Sequence, residues 1–245
     1  MSPAEREKGD EGPPKAQPKS FAAYPVPEYT ASESVPYRRN RWENQDWWIA
    51  TSLTLLCAFT RLYQIGKRDI TSWDETHFGK FGAYYVNRTF YHDVHPPLAK
   101  MLIGLSEYVS GHNGTFTFKG KYPPYVNYTF MRQFAAMFGI GLVPLAYLTC
   151  HQLNMRRQAC VLAALFVLFD NALCVMSRFI LLDPLLLFFT AASLCAAAGL
   201  QNARHLAFSK TWWRWLLLTG ASLGLVASCK WVGFLTIALV GLYTI

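Results

Sequence analysis

Apolar positions along the 245-residue chain gather into runs of bilayer-crossing length, parted by short polar breaks. Set against the roughly 20 residues a helix needs to cross a bilayer, the pattern predicts a first span near Trp47 to Ile65. A second runs from about Phe130 to Cys150, with Pro144 inside it as a kink. Third and fourth spans, near Ala159 to Met176 and Leu181 to Leu200, are parted by Ser177-Arg178; a fifth covers about Trp213 to Ser228. A sixth begins at Trp231 and reaches only Ile245, so the sequence is expected to stop inside a helix, as a fragment or truncated product would.

Between the first two spans, over about residues 66–128, the period changes. Phe78, Phe81 and Tyr85 recur at i, i+3 and i+7 with Lys80, Tyr84 and Asn87 on another face, which predicts an aromatic amphipathic helix starting close to Asp74. A second such helix is expected from Pro97 to about Val109, with Leu98, Met101, Leu102 and Leu105 on one side. Both are too short to span and should lie flat in the interface. Residues 1–45 are rich in Pro, Glu, Lys and Ser and hold no apolar core of a signal peptide, which predicts a disordered tail and leaves the first span to act as the insertion signal. The fold expected is all-α, a polytopic membrane helix bundle whose first long loop carries interfacial helices.

Composition supports this reading. The chain is 52% hydrophobic, and its mean hydropathy of +0.14 is diluted by the polar tail and loop. The net charge of +8 sits in short clusters beside apolar runs instead of along one face, which argues for membrane topology and against nucleic acid. All six cysteines lie in or beside apolar segments and none in the long loop, so free thiols are expected there. Charges flanking the first span (Arg38, Arg39 and Arg41 before it; Arg61, Lys67 and Arg68 after it) leave orientation open, but Arg156-Arg157 and Arg204, Lys210, Arg214 mark two short loops as cytoplasmic. The long loop then faces the lumen, in agreement with its N-x-S/T sequons at Asn87, Asn113 and Asn127; Asn127 lies too close to the second span for use.

Candidate chemistry concentrates in WDETHFGKFGAYYVNRTFYHDVHPPLAK, from Trp73 to Lys100. Asp74-Glu75 reads either as an N-cap with a first-turn acid or as a site carboxylate able to act as general base, with Trp73 and His77 favouring a structured site. His92, Asp93 and His95, with His77, have metal-ligand chemistry without a metal-specific spacing; fixing the turn into the second interfacial helix is the simpler role. Arg61, Arg132, Arg178 and Lys230 all fall on the lumenal side, against the usual charge bias, which points to an anionic headgroup unless each merely snorkels. Asp183 is expected to pair with Arg178.

The run from Trp73 through WDETHFGKFGAYYVNRTFYHDVHPPLAKMLIGLSEYVSGHNGTF, followed by FMRQFAA, LVPLAYLT, LLDP and SCKWVG, closely resembles the dolichyl-phosphate-mannose protein O-mannosyltransferases, and the resemblance extends over about Arg61 to Ile245. It implies a GT-C membrane fold and mannose transfer from dolichyl phosphate mannose to Ser or Thr of proteins in the endoplasmic reticulum lumen. It implies too that Asp74 and Glu75 are the family's Asp-Glu motif and that Arg61 and Arg132 are its arginines at the end of span one and the start of span two. The family's lumenal MIR domain and later spans have no counterpart in these residues. Under this resemblance Asp74 is the base and Glu75 orients the acceptor. Arg61, Arg132 and Lys230 bind the donor phosphate, and His77, Asp93, His95, Arg178 and Asp183 support the site; Asn87 and Asn113 are the glycan acceptors. No cofactor is implied, since the lipid-linked sugar is a substrate, and a divalent ion is left open. Partners implied are the donor, Ser/Thr acceptor proteins, membrane lipids and the other protein O-mannosyltransferase as a heterodimer. Three other readings compete: a polyprenyl-phosphate sugar transferase with another acceptor, a transporter, and a non-catalytic subunit.

Overall fold

The computed structural model describes residues 42–244. Up to residue 41 the expected tail lies outside the described residues, and the first helix begins at Asn44, inside the expected boundary. The described residues form α1 (Asn44–Leu62), α2 (Glu75–Val86), α3 (Leu98–Val109), α4 (Tyr128–Gln152), α5 (Arg157–Phe169), α6 (Asn171–Met176), α7 (Asp183–Ala203), α8 (Lys210–Ala227) and α9 (Gly233–Thr244). Among them there is no strand, only one isolated antiparallel bridge between Ile70 and Lys121 that closes the base of the long loop. Two helices, α4 and α7 with its extension to Leu206, are long and apolar enough to cross a bilayer.

The expected third span is two helices instead of one. Asp170 adopts an extended conformation (φ −61°, ψ 120°) and its carboxylate accepts the amide of Leu173 at 2.7 Å, so it ends α5 and caps α6. Short polar side chains compete with helical backbone in this way, and a single Asp inside an apolar run is enough to break it.

α7 is the central helix, packed against α8 and α4, while α4 also packs on α1 and α5. Two apolar cores meet along α4. One joins α2, α3, α4 and α7 through Phe78, Ile103, Phe118, Met131, Leu182 and Leu185. The other joins α1, α4 and α5 through Cys57, Val143, Tyr147, Ala164 and Leu168. All six cysteines are free, as their apolar setting predicts.

α2 and α3 form a close pair because α2 carries glycine where they touch. A Cβ on Gly82 would overlap Glu107 Oε1 of α3, and one on Gly79 would overlap the Phe118 ring of the loop that follows α3. Glu107 itself is fully buried, with Oε2 2.9 Å from Nδ1 of the equally buried His112. Burial pushes the Glu107 carboxyl from its ordinary 4.5 up to about 7, and the His112 contact only partly opposes this. Because the folded chain holds the proton longer than the unfolded chain does, the fold loses stability as pH rises through that window and keeps the full contribution below it. Thermal unfolding of the full-length protein followed against pH should show this fall, and Glu107→Gln should flatten it; an unchanged slope would remove Glu107 as its source.

Candidate active site

The site grows from the way α1 and α5 end. The last carbonyls of a helix have no partner within it and carry partial negative charge. At α1 these are taken by Arg178, which donates to the carbonyls of Thr60 and Arg61 at 2.9 Å each and of Tyr63 at 2.8 Å. At α5 they are taken by Arg61, fully buried, which donates to the carbonyls of Leu168 at 2.8 Å and Val167 at 3.0 Å. The expected Arg178–Asp183 pair is therefore not formed: Arg178 is turned to the end of α1, and Asp183 instead accepts from Lys230 at 3.1 Å.

Arg132, one turn into α4 and 1% exposed, gathers the chain that follows α1. It donates to the carbonyls of Arg68 at 2.5 Å and Ile70 at 3.1 Å, and through Nε and Nη2 to both oxygens of Glu75 at 2.8 Å. Its guanidinium also lies 5.1 Å from the Tyr128 ring and 5.4 Å from that of Phe179, a cation–π setting that partly replaces lost hydration. Glu75 is wholly buried and accepts further bonds from the amides of Ser72 (2.9 Å) and Ile180 (3.1 Å) and from the Tyr122 hydroxyl (3.4 Å). With five donors on two oxygens, it ties α2, α4, the long loop and the α6–α7 connection together and presents no free lone pair.

Asp74 differs in each respect. Trp73 before it takes a positive φ of 52° and packs on Phe179 at 5.2 Å between ring centroids. Asp74 occupies the N-cap position of α2, yet its side chain makes no capping bond and is exposed. The adjacent acids thus divide into one spent inward and one open outward. His77 lies on α2 and is exposed as well.

The 92–95 turn is fixed from two sides. From within, the nearly buried Lys100 ammonium donates to Asp93 at 2.8 Å and to the His95 carbonyl at 2.6 Å, over the rings of Phe81 and Tyr91. From the bundle, Trp231 donates to the Val94 carbonyl, and the Leu98 amide donates to Ser228 at 2.9 Å. Burial alone would raise the Asp93 carboxyl, but Lys100 and the amides of Val94 and His95 hold it below its usual range. No group of three or more His, Cys, Asp or Glu converges as a metal set among the described residues. Lys100 was not an obvious candidate in sequence, although PPLAK places it one turn into a helix that follows the turn, within reach of it. Lys100→Met should leave Asp93 unpaired, cost about 2–4 kcal/mol and open residues 88–97 to limited proteolysis; unchanged cleavage would show that the bundle contacts suffice.

The sequons differ in their commitments. The Asn87 amide donates to the Gly114 carbonyl at 2.7 Å, and Asn127 caps α4 by accepting from Phe130. Asn113 is exposed, and its Oδ1 accepts from the amide and hydroxyl of its own sequon threonine, Thr115.

A family model described as dolichyl-phosphate-mannose-protein mannosyltransferase matches residues 51–245. The chain is 48% identical over 194 residues to dolichyl-phosphate-mannose–protein mannosyltransferase 3 of Saccharomyces cerevisiae, which covers 78% of this chain and 26% of that protein. It is 43% identical over 206 residues to protein O-mannosyl-transferase 2 of Drosophila melanogaster, covering 82% of this chain and 27% of the fly protein. The chain spans about a quarter of the length of these relatives. In three dimensions it is similar to a chain of the S. cerevisiae protein O-mannosyltransferase Pmt1-Pmt2 complex bound to the sugar donor, with a TM-score of 0.80, 33% identity, and coverage of 84% of this chain and 28% of that one. With the family model matching residues 51–245, most of the sequence, the chain belongs to the dolichyl-phosphate-mannose-protein mannosyltransferase family.

Proposed function

We propose that this chain carries the donor-side catalytic part of an enzyme that transfers mannose from dolichyl phosphate mannose to Ser or Thr hydroxyls of proteins in the endoplasmic reticulum lumen. The observation that carries the reading is the open carboxylate of Asp74 beside the buried Glu75–Arg132 pair. A hydroxyl is a weak nucleophile. Asp74 takes its proton as the oxygen attacks the anomeric carbon; the bond from that carbon to the phosphate oxygen breaks with its electron pair, and dolichyl phosphate departs. One displacement inverts the β-linked donor to an α-mannoside. The leaving phosphate needs a cation and no general acid.

Of the three cations assigned to it, Arg61 and Arg132 have their donors engaged by carbonyls and by Glu75, whereas Lys230 keeps a partly exposed ammonium with Asp183 as its partner. Lys230 is therefore the phosphate ligand in this reading, and Arg61, Arg132 and Glu75 position the site. The 92–95 turn, seated on Ser228 and Trp231 next to Lys230, forms one wall. The whole is a GT-C membrane fold with six spans, the first being α1, a cytoplasmic N-terminus, and α2 and α3 at the lumenal surface, with Asn113 as the accessible glycan acceptor. The Pmt1-Pmt2 architecture of the solved relative supports a second protein O-mannosyltransferase as partner.

The test is an assay of the full-length protein with such a partner, using dolichyl phosphate mannose with a Ser/Thr-rich peptide or a lipid acceptor. An α-mannosyl peptide is expected. Transfer to the lipid alone would replace this reading with a polyprenyl-phosphate sugar transferase of different acceptor.

A further inference from the structure

A cavity of about 830 Å³ lies far from Asp74, where the start of α1, the end of α4 and the start of α8 come together. Its wall is apolar along Ala50, Leu55, Pro144 and Leu148. Pro144 supplies no amide and cannot continue a regular helical ladder, which suits a widening between α1 and α4 at that level. The other end is polar and electropositive. Arg214 lines it with an exposed guanidinium that has no carboxylate partner among the described residues. The acids at the start of α1, Glu43 and Asp46, both pair with Arg157. Trp42 lines the same end, packed on Trp47 and His151, and its indole Nε1 is buried with no acceptor. A buried N–H without a partner costs about 1–3 kcal/mol; it belongs to the same cavity lining as Arg214, whose guanidinium lies 6.0 Å from the Trp215 ring and meets no carboxylate among the described residues, so an anionic acceptor suits both. An apolar groove that ends in a cation and an orphan N–H has the two-part chemistry of a lipid.

We infer that this groove is a binding site for one anionic phospholipid, its phosphate set against Arg214 and the Trp42 indole and an acyl chain laid along Ala50, Leu55, Pro144 and Leu148. The site is separate from the donor site in place and in use. Under the topology proposed above it opens to the cytoplasmic leaflet, where anionic lipids are concentrated; only that choice of leaflet rests on the topology. The bound lipid would fill the space between α1 and α4 and hold the ends of α1, α4 and α8 together.

The test uses the full-length protein in nanodiscs of mixed phosphatidylserine and phosphatidylcholine, with native mass spectrometry of the released protein. One phosphatidylserine should be retained. Arg214→Gln should lower the retained fraction about fivefold, and Leu148→Trp, which fills the groove, should abolish retention while leaving mannose transfer intact. A photoreactive benzoylphenylalanine in place of Leu148 should crosslink to lipid. Equal retention by all three proteins would overturn the inference, as would crosslinking of position 148 to a later segment of the same chain. Because retention is read after release, it stays informative if the leaflet is reversed; cysteine accessibility at position 156 reports the orientation separately.

Discussion

Arg132→Met is expected to remove most of the folded full-length protein from the membrane fraction. The substitution leaves Glu75 buried with no counter-charge, and breaking one side of such a pair costs about 3–5 kcal/mol. It also strips donors from the carbonyls of Arg68 and Ile70 in the loop that leads to α2, leaving Ile70 only the longer bond from the Ser72 hydroxyl at 3.3 Å. Against a typical total of about 5–15 kcal/mol, this single loss decides whether the protein accumulates. Glu75→Gln should be nearly as severe, because its amide N–H groups would meet donors in either orientation: Arg132 Nε and the Ile180 amide at one position, Arg132 Nη2 and the Ser72 amide at the other. The double variant Glu75→Leu with Arg132→Met separates a structural from a chemical role. If the pair only positions, the double variant should fold better than either single one, since apolar replacement of both members of a buried pair is often neutral, and it should regain measurable transfer. A double variant that unfolds no earlier than the wild type yet shows no transfer would return Glu75 to the chemistry.

Why this pair was only half legible is a matter of distance along the chain. Helical period places α2 and α3 closely: the expected start near Asp74 and the expected helix from Pro97 to about Val109 lie within a residue of the observed Glu75 start and of Leu98–Val109. The acids at the start of α2 are one bond apart, and nothing local says which is turned inward. That is settled by Trp73 at positive φ and by donors from Ser72, Tyr122, Arg132 and Ile180, three of them more than forty residues away. The cations tell the same story. Depth in the bundle selects Arg61, Arg132 and Arg178 together and suggests one shared anion, but the charge they meet belongs to helix ends, loop carbonyls and, for Arg132, the Glu75 carboxylate. A signal for this was present: Arg61 sits in the last turn of its own helix, and Asp170-Asn171 interrupts an apolar run whose carbonyls then need donors. At the opposite end, Arg157 was counted as a free topological charge, yet it closes on Asp46 and Glu43 across the bundle. Asp46 is itself buried against the Tyr147 hydroxyl at 2.7 Å, a contact that spans 101 positions of sequence.

Asp74→Asn is the substitution that should separate chemistry from fold most cleanly. The side chain is exposed, makes no capping bond to α2 and contributes to no ion pair among the described residues, so an isosteric amide should change stability by no more than about 0.5 kcal/mol. Its effect on the reaction should be large. An amide cannot take the proton that the attacking hydroxyl must lose, and loss of a positioned general base lowers turnover by about 10²- to 10⁴-fold. Since the donor phosphate is held elsewhere, dolichyl phosphate mannose should still bind, and the loss should fall on kcat with KM for the donor little changed. Glu75→Gln should show the opposite signature, a fall in folded protein ahead of any fall in specific activity. The pair of measurements distinguishes two neighbouring carboxylates that sequence leaves equivalent. If Asp74→Asn retains turnover within a few-fold of wild type while folding normally, the base must be sought on the same exposed face, where His77 is the next group able to accept a proton.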